Sequence, residues 1–350
     1  MHSLTPEYLA RLAFTPDEVA SLRQLGEHRG REAVYARRRP EVLEALRTVA
    51  VVESSESSNR LEGITVPADR LERLVLEQTR PENRSEQEIA GYRDALNLIH
   101  EARTDMPVAV NVIRQLHQTV YRYVAAPGGD WKPVDNEIVE RGPDGKVLRV
   151  RFRAVPAVQV PEAMDALITG YRRVLAEGRH DPLVLVPLVI LDFLCIHPFA
   201  DGNGRVARLL TLHLLYHAGY TAGRWISLER IFEQTRESYY ETLEASSQGW
   251  HQGEHDPHPW LGYFWGVLLR AYREFEERVG TVDSGRGAKS RQVRKAVLRR
   301  TRPFRISDLD TDCPGISRDT IRLVLREMRD AGEVVTEGRG RGARWRRASA

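Results

Sequence analysis

The sequence HPFADGNGRVAR, residues 197–208, decides the fold of the region around it. An apolar run from Pro182 to Ile196 leads into this stretch and should end there, because Pro198 disfavours helical backbone at the residue before it. Helical spacing resumes at Arg205, with apolar residues at Val206, Leu209, Leu210 and Leu214. The stretch therefore predicts a glycine-containing loop between two helices. The absence of alternating strands on both sides argues against a hairpin turn.

The residue types in this loop are those that phosphoryl-type transfer needs. A glycine-containing segment at a helix N-terminus presents backbone N–H groups to phosphate oxygens, arginine adds donors, a carboxylate ligates Mg²⁺, and histidine accepts a proton from a hydroxyl. A helix end or a simple turn would explain either half of the stretch, but not the combination. The candidates are His197 as base, Asp201 as metal ligand, Gly202, Asn203 and Gly204 as anion cradle, and Arg205 and Arg208 as phosphate donors.

The pattern His-Pro-Phe-x-Asp-Gly-Asn-Gly-Arg-x-x-Arg resembles the signature of Fic-domain proteins, and every position of it is met. The resemblance covers roughly residues 50–280. It implies a mainly helical fold that transfers AMP from ATP, with Mg²⁺, to Ser, Thr or Tyr hydroxyls of protein targets, itself included. It also implies the roles named above, with Arg208 binding either the γ-phosphate or an internal carboxylate.

A second segment, SNRLEG, begins at Ser58. From spacing alone a solvated helix end is the simpler interpretation, because Ser58 and Glu62 share a helix face. The resemblance implies instead an inhibitory helix near residues 54–63, in which Glu62 pairs with Arg208 and prevents productive placement of the γ-phosphate. The pairing is physically reasonable, since arginine binds a carboxylate and a phosphate through the same bidentate geometry.

Alternating residues predict two strands, Glu137 to Arg141 and Lys146 to Arg153, around a turn at residues 142–145. The resemblance implies that this hairpin is a flap that pairs with a strand of the target, whereas a solvated surface hairpin is the alternative. The preceding Trp131-Lys132 departs from the family's more usual aromatic-Arg pair.

Two adjacent tyrosines, Tyr239 and Tyr240, lie in a segment with helical spacing. They resemble the family's helix that closes over the nucleoside, and we therefore include both as nucleotide contacts. The alternative is that they are core and surface positions of one ordinary helix.

Charge divides the chain into two parts. From Arg286 to the end there are 18 Lys+Arg and 8 Asp+Glu, a balance of +10, so the rest carries 3 − 10 = −7. We expect a mainly α fold in which a helical Fic-domain core with a β-hairpin flap precedes a small C-terminal winged helix-turn-helix domain. The predicted parts are a helical extension (residues 1–90), the core (91–280), a linker (281–290) and the winged-helix domain (291–350).

The tail predicts an amphipathic helix from Ser317 to Ala331 and a two-stranded wing around residues 337–342. One hypothesis is that this helix enters the major groove of DNA while wing arginines contact phosphates. The alternative is a module that docks proteins or makes a dimer. For the whole chain, one alternative is therefore a DNA-binding regulator with a nucleotide-sensing core. Another is an enzyme that uses the same loop to remove AMP from targets, with Glu62 positioning water.

The composition suits a cytoplasmic protein. Two cysteines cannot form a disulfide framework, no secretory signal is visible near the start, and the longest apolar run carries Asp192 and is too short for a membrane span. We therefore expect protein partners, no membrane, and a homodimer only as the family resemblance suggests.

Overall fold

Helices make up most of the chain, and the mainly α prediction is confirmed. The computed structural model describes residues 3–38, 40–102, 104–126, 128–141, 146–284, 288–298, 300, 303–313, 316–337 and 344–347. The helices are α1 (Pro6–Leu9), α2 (Pro16–Arg38), α3 (Pro40–Leu61), α4 (Ala68–Val75), α5 (Arg84–Ala102), α6 (Val110–Val120), α7 (Val160–Glu177), α8 (Pro182–Ile196), α9 (Asn203–His217), α10 (Leu228–Gln234), α11 (Arg236–Ser247), α12 (His258–Ser284), α13 (Ala288–Leu298), α14 (Ile306–Asp312) and α15 (Arg318–Asp330). The strands are β1 (Glu137–Arg141), β2 (Val147–Arg153), β3 (Val334–Glu337) and β4 (Arg344–Arg347).

Contacts group the chain into two compact units, Met1–Phe275 and Glu276–Ala350. In the first unit, α3 packs against α5 and α10, and α8 packs against α7 and α9. The predicted N-terminal extension therefore belongs to the same compact unit as the core. In the same unit, β1 and β2 form an antiparallel hairpin with register shifts, and residues 142–145 at its predicted turn lie outside the described residues.

Helix α8 is buried on all sides, as its uniformly apolar sequence requires. It contains Pro187, which has no N–H to donate to the carbonyl of Leu183 one turn earlier. The indole of Trp265 replaces the missing donor, with Nε1 lying 2.8 Å from the Leu183 oxygen. A second indole, that of Trp260, donates to the Pro187 carbonyl at 2.8 Å. Helix α12 thus supplies the polar partners that a proline-containing buried helix needs.

The ends of the N-terminal helices follow local sequence signals. Thr15 and Glu18 form a capping box, since the Glu18 carboxylate accepts the Thr15 N–H at 2.8 Å and the Thr15 hydroxyl accepts the Glu18 N–H at 3.3 Å. Helix α3 ends in a Schellman motif: Gly63 has φ +80°, and the Ile64 N–H donates to the Asn59 carbonyl at 2.9 Å. This cap places Glu62 immediately after the last helical residue.

The second unit contains α13, α14, α15 and the antiparallel pair β3–β4. The predicted amphipathic helix is confirmed by α15, which buries Ile321, Val324, Leu325 and Met328. Phe304 and Trp345 exchange backbone hydrogen bonds at 2.8 Å, which attaches β4 to the segment before α14. The wing turn, residues 338–343, lies outside the described residues, and the winged-helix assignment stays a prediction.

The segment predicted as a linker, residues 281–290, begins and ends with helical residues. Helix α12 extends to Ser284 and α13 begins at Ala288, while residues 285–287 lie outside the described residues. Helix α10 was not predicted, because seven residues are too few to display a clear period. Within the described part of the chain, no helix has the length and apolar character needed to cross a membrane.

We predict that Trp265→Phe lowers the free energy of unfolding by about 1–3 kcal/mol, because it leaves the buried Leu183 carbonyl without a donor. Pro187→Ala in the same background should recover part of that loss, since it restores a backbone N–H one turn after Leu183. Urea unfolding of the four proteins of this cycle, followed by circular dichroism, measures the coupling. Trp260→Phe is the matched control, and an equal recovery there would contradict the explanation.

Candidate active site

The motif 197–208 forms the loop between α8 and α9, as predicted. His197 caps α8 in the left-handed conformation, with φ 51° and ψ 61°. Gly202, with φ +78°, is the residue that precedes α9. A side chain at Gly202 would clash with the ring of Tyr121, so the position requires glycine for space as well as for backbone conformation.

His197 is held as a neutral imidazole with a defined tautomer. Its Nδ1 lies 3.3 Å from the Leu194 carbonyl, and because a carbonyl can only accept, Nδ1 carries the proton. Nε2 therefore keeps its lone pair. Burial lowers the pKa of His197 to about 4, helped by the nearby charge of Lys132 and opposed by the Leu194 hydrogen bond. The residue is chemically suited to accept a proton from a bound hydroxyl.

Asn203 and His117 fix the loop from inside. The Asn203 side chain accepts the Phe199 N–H at 2.9 Å and donates to the Phe199 carbonyl at 2.8 Å. The His117 ring stacks on Phe199 with centroids 3.8 Å apart. Its Nδ1 accepts the Gly129 N–H at 2.7 Å, so its Nε2 must donate to the Asp201 carbonyl at 3.1 Å. Burial lowers the pKa of His117 to about 4, which keeps this arrangement neutral.

Asp201 presents an exposed, ionised carboxylate at the mouth of the loop. Burial alone would raise its pKa, but hydrogen bonds from the Tyr121 hydroxyl and the Gly202 N–H, with the charge of Arg205, lower it below the ordinary value. The Gly202 amide predicted to join the anion cradle donates to Asp201 at 2.7 Å instead. Among the described residues, no three His, Cys, Asp or Glu side chains form a metal cage. Mg²⁺ is typically held by one or two carboxylates together with substrate phosphates, and Asp201 fits that requirement.

The Glu62 carboxylate lies against the first turn of α9, the segment predicted as the anion cradle. A Cβ at Gly204 would clash with the Glu62 carboxylate and would also crowd Arg208. The first N–H groups of a helix have no intrahelical acceptor, and the helix dipole favours a negative charge beside them. An anionic group of the protein thus lies where a phosphate was predicted.

Arg208 joins the two predicted parts of the site. Its guanidinium, 2% exposed, donates from Nη2 to Glu62 Oε1 at 2.7 Å and from Nε to Ser58 Oγ at 2.8 Å. Nη2 also donates to the Ser58 carbonyl at 2.9 Å. The structure therefore brings together Ser58, Glu62 and Arg208, which the family resemblance alone had associated.

Arg205, which was predicted to contact a phosphate, is paired with groups of the protein in this structure. Its guanidinium is 1% exposed and forms an ion pair with Glu88, and its Nη2 donates to the Tyr121 hydroxyl at 2.8 Å. A weaker contact, 3.7 Å, joins Nη2 to Asp201 Oδ2. The side chain in this conformation supports the loop from behind, because a buried guanidinium requires a carboxylate partner.

A chain of buried polar groups connects Arg208 to α10. Ser58, which accepts from Arg208, is hydrogen-bonded to Tyr92. The Tyr92 hydroxyl donates to Glu229 Oε1 at 2.9 Å, and Ser54 donates to Glu229 Oε2 at 2.7 Å. Helix α3 is thus anchored twice, through Ser54 and Ser58, on a carboxylate that the sequence analysis did not single out.

A cavity of about 240 Å³ opens beside the loop. His197, Gly204, Arg208 and Glu62 lie at its polar side. The other walls include residues that are mainly apolar or aromatic, among them Leu191, Leu194, Phe152, Tyr239, Tyr240 and Leu243. Tyr239 is 3% exposed and stacks edge-to-face with Tyr240 at 5.1 Å, so both predicted tyrosines face the same cavity.

The hairpin is fastened to the rim of this cavity. Glu244 on α11 forms ion pairs with Arg149 at 2.6 Å and with Arg151. The ring of Phe152 stacks on His251 with centroids 5.2 Å apart. Sequence reasoning missed Glu244, His117 and Glu88, because each acts on a partner that is distant in the sequence and belongs to no local motif.

Comparison with known proteins identifies the core. The Fic/DOC family matches residues 107–215. "Protein adenylyltransferase Fic" of Drosophila willistoni is 30% identical over 170 residues, which are 46% of this chain and 29% of that protein. A 78-residue segment, 20% of this chain, is 38% identical to 13% of "Ribonucleoside-diphosphate reductase small chain" of Ostreid herpesvirus 1. The chain thus spans less than a third of either relative.

The fold agrees with that match. A crystal structure of a Fic family protein from Desulfovibrio desulfuricans G20 superposes with a TM-score of 0.63 at 22% identity, covering 97% of this chain and 98% of that one. At this identity the likeness concerns the fold. The family match, the loop between α8 and α9 and the shared fold agree, and the chain carries a Fic domain of the Fic/DOC family in residues 107–215.

Proposed function

We propose that this chain transfers AMP from ATP to a hydroxyl side chain of a protein target, and that Glu62 restrains the reaction. The observation that carries the proposal is the Glu62 carboxylate at the first turn of α9, paired with Arg208 at 2.7 Å. A helix N-terminus with a buried arginine is a site for an anion. The occupant in this structure is an anion supplied by the protein itself.

The reaction follows from the positions of the loop residues. His197 Nε2 accepts the proton of the target hydroxyl, whose oxygen bonds to the α-phosphorus, and the bond from that phosphorus to the bridging oxygen breaks, releasing pyrophosphate. The α9 amides and Arg208 bind the phosphates and hold the α-phosphorus in line with the attacking oxygen. When Mg²⁺ is bound it neutralises charge on the phosphates, and Asp201 is the residue that would hold it.

The shape of the cavity supports a nucleotide as the donor. Its polar side carries the anion site, and its apolar side, with Tyr239 and Tyr240, suits an aromatic base. The relative in Drosophila willistoni is named a protein adenylyltransferase, which agrees with ATP as the donor and a protein as the acceptor. The flap at β1–β2 borders the same cavity, so a target strand added to it would bring its hydroxyl near His197.

The restraint is electrostatic. A γ-phosphate and the Glu62 carboxylate compete for Arg208 and for the first turn of α9, and two anions in one desolvated site repel each other. ATP that binds beside Glu62 must place its γ-phosphate elsewhere, which moves the α-phosphorus out of line. Because Glu62 is 31% exposed while Arg208 is buried, the carboxylate is the partner that can leave.

We predict that Glu62→Gly increases automodification by ATP and Mg²⁺ at least tenfold, which corresponds to about 1.4 kcal/mol of activation free energy or more. His197→Ala in that background should remove the activity. Intact-mass spectrometry measures the added AMP. Glu62→Gln should give an intermediate increase, because it removes the charge and keeps the shape.

The matched control is Glu56→Gln, which neutralises a glutamate on α3 that pairs with Arg60 on the surface. It should leave the rate within twofold of wild type. If folded Glu62→Gly protein binds ATP and forms no adduct on itself or on protein extracts, AMP transfer is wrong. Release of AMP from a modified protein by the wild type would then favour the alternative, removal of AMP.

The pH dependence of the transfer provides a separate prediction. A base acts in its unprotonated form, and His197 has a pKa of about 4, so the rate should stay level from pH 8 down to about pH 5. It should fall only as the pH passes below that range, whereas an ordinary imidazole would lose half its activity near pH 6.5. Rates of Glu62→Gly at saturating ATP and Mg²⁺ test this. A midpoint near pH 6.5, with the protein still folded, would contradict it.

We also retain DNA binding by the second unit as a candidate function. Helix α15 directs its apolar residues into the core of its own unit and leaves Arg318, Arg322, Arg326 and Arg329 exposed. An exposed arginine face on a helix is the usual electrostatic requirement for contact with DNA phosphates. The alternative, a protein-docking module, has the same appearance.

We predict that the full chain binds duplex DNA with an affinity that falls steeply with salt, and that the double substitution Arg322→Ala/Arg326→Ala reduces the salt slope by about 2. Fluorescence anisotropy at several salt concentrations measures both quantities. Glu327→Ala, at an exposed position of the same helix outside the arginine stripe, is the control and should not weaken binding. Absence of any salt-dependent binding would leave protein docking as the function of this unit.

A further inference from the structure

The backbone at His197 needs support that the motif itself does not supply. Among the described non-glycine residues, only Gln78 and His197 have a positive φ, and this conformation costs about 1 kcal/mol or more. His197 also follows the last residue of α8, where the final carbonyls have no intrahelical donor. A catalytic imidazole placed here depends on whatever binds these carbonyls.

Lys132 binds the backbone on both sides of His197. Its backbone N–H donates to the Pro198 carbonyl at 2.9 Å. Its ammonium Nζ donates to the Ile196 carbonyl at 3.3 Å. One residue thus bonds to the carbonyl before and the carbonyl after the histidine.

Asn136 extends the same support. Its Oδ1 accepts from Lys132 Nζ at 2.7 Å, and its Nδ2 donates to the Phe199 carbonyl at 3.2 Å. Lys132 and Asn136 lie in the segment that leads into the flap. This segment therefore donates hydrogen bonds to the carbonyls of Ile196, Pro198 and Phe199.

The ammonium group of Lys132 is placed as a helix-capping charge. The side chain is 3% exposed, and Nζ donates to two neutral oxygens, those of the Asn136 side chain and the Ile196 carbonyl. A cation at the C-terminus of a helix interacts favourably with the dipole and with the last carbonyls. Burial lowers the pKa of Lys132 to about 8, a value that still leaves the group mostly charged at neutral pH.

We propose that Lys132, together with Asn136, is a positioning residue that fixes the backbone and ring of His197 for proton transfer. The reaction in which it acts is the proposed AMP transfer. Lys132 does not line the cavity, so it acts through His197 rather than on the nucleotide. Its substitution should therefore change kcat and leave the KM for ATP nearly unchanged.

The experiment uses the full chain in the Glu62→Gly background, with Lys132→Met, Lys132→Arg and Asn136→Leu compared to that parent. Lys132→Met keeps the length of the side chain and removes the charge and donors. We expect its kcat to fall about 30-fold or more, because small misplacements of a catalytic group cost up to about 100-fold. Lys132→Arg should stay within about fivefold of the parent, since it can donate to the same carbonyls, and Asn136→Leu should lose about five- to tenfold. The KM for ATP should stay within threefold throughout.

A second measurement does not depend on activity. In ¹⁵N-histidine-labelled protein, the His197 ring is identified by its absence from the His197→Ala spectrum. The parent and Lys132→Arg should show the single Nδ1–H tautomer that the Leu194 hydrogen bond requires, and Lys132→Met should show a mixture of tautomers. Thermal melts confirm that each variant is folded. Asn136→Leu, at a partly exposed position, supplies the test if Lys132→Met does not fold.

Two results would overturn the positioning role. The first is a kcat for Lys132→Met within threefold of the parent. The second is an increased KM with unchanged kcat, which would assign Lys132 to nucleotide binding. If the Glu62→Gly parent transfers no AMP, the proposed function fails, and the tautomer alone decides: an unchanged His197 signal in Lys132→Met, or in folded Asn136→Leu if the lysine variant is unfolded, rejects the positioning role.

Discussion

The site depends on the need to satisfy backbone polar groups where one buried helix ends and the next begins. Helix α8 is surrounded by protein, so its last carbonyls and the first amides of α9 cannot all reach water. Lys132, Asn136, Asn203 and His117 bind the carbonyls of the loop. Gly204, at the start of α9, lines the cavity, and the Glu62 carboxylate lies beside it. The hydrogen bonds that satisfy the buried loop carbonyls are therefore the same ones that hold the backbone around His197.

The same requirement applies to buried charges, and it separates two arginines of one motif. Arg205 is paired with Glu88, whose side chain is 7% exposed, so both groups are enclosed and the pair is a fixed part of the core. Arg208 is equally buried, but its carboxylate partner, Glu62, is 31% exposed and comes from the end of another helix. Removing a carboxylate from a buried guanidinium is costly unless another anion replaces it. A phosphate is such a replacement, and this exchange gives the proposed restraint its physical basis.

The position of Glu62 is set by more than its own ion pair. The Schellman cap fixes the end of α3, and the hydrogen bond from Ser54 to Glu229 holds the body of that helix against α10. Tyr92 of α5 donates to the same carboxylate. These groups are buried, and a partly satisfied polar network in a low-dielectric interior is unfavourable. The helix is therefore held in one register, while the carboxylate that follows it is partly exposed to solvent. That arrangement favours release by movement of a side chain over release by displacement of the whole helix.

The sequence alone determined the features that local rules control. Pro198 and Gly202 placed the loop, apolar spacing predicted the tail helix that became α15, and the complete motif predicted the Fic domain that the comparison confirmed. Tertiary structure decided the rest. The partner of Arg205, Glu88, lies 117 residues away along the chain, so no local pattern in the sequence predicts this pair. Likewise, the roles of Lys132, His117 and Glu229 follow from contacts between helices. Local propensity acts over a few residues, whereas the partner of a buried polar group is chosen by packing, which brings together residues that the chain keeps far apart.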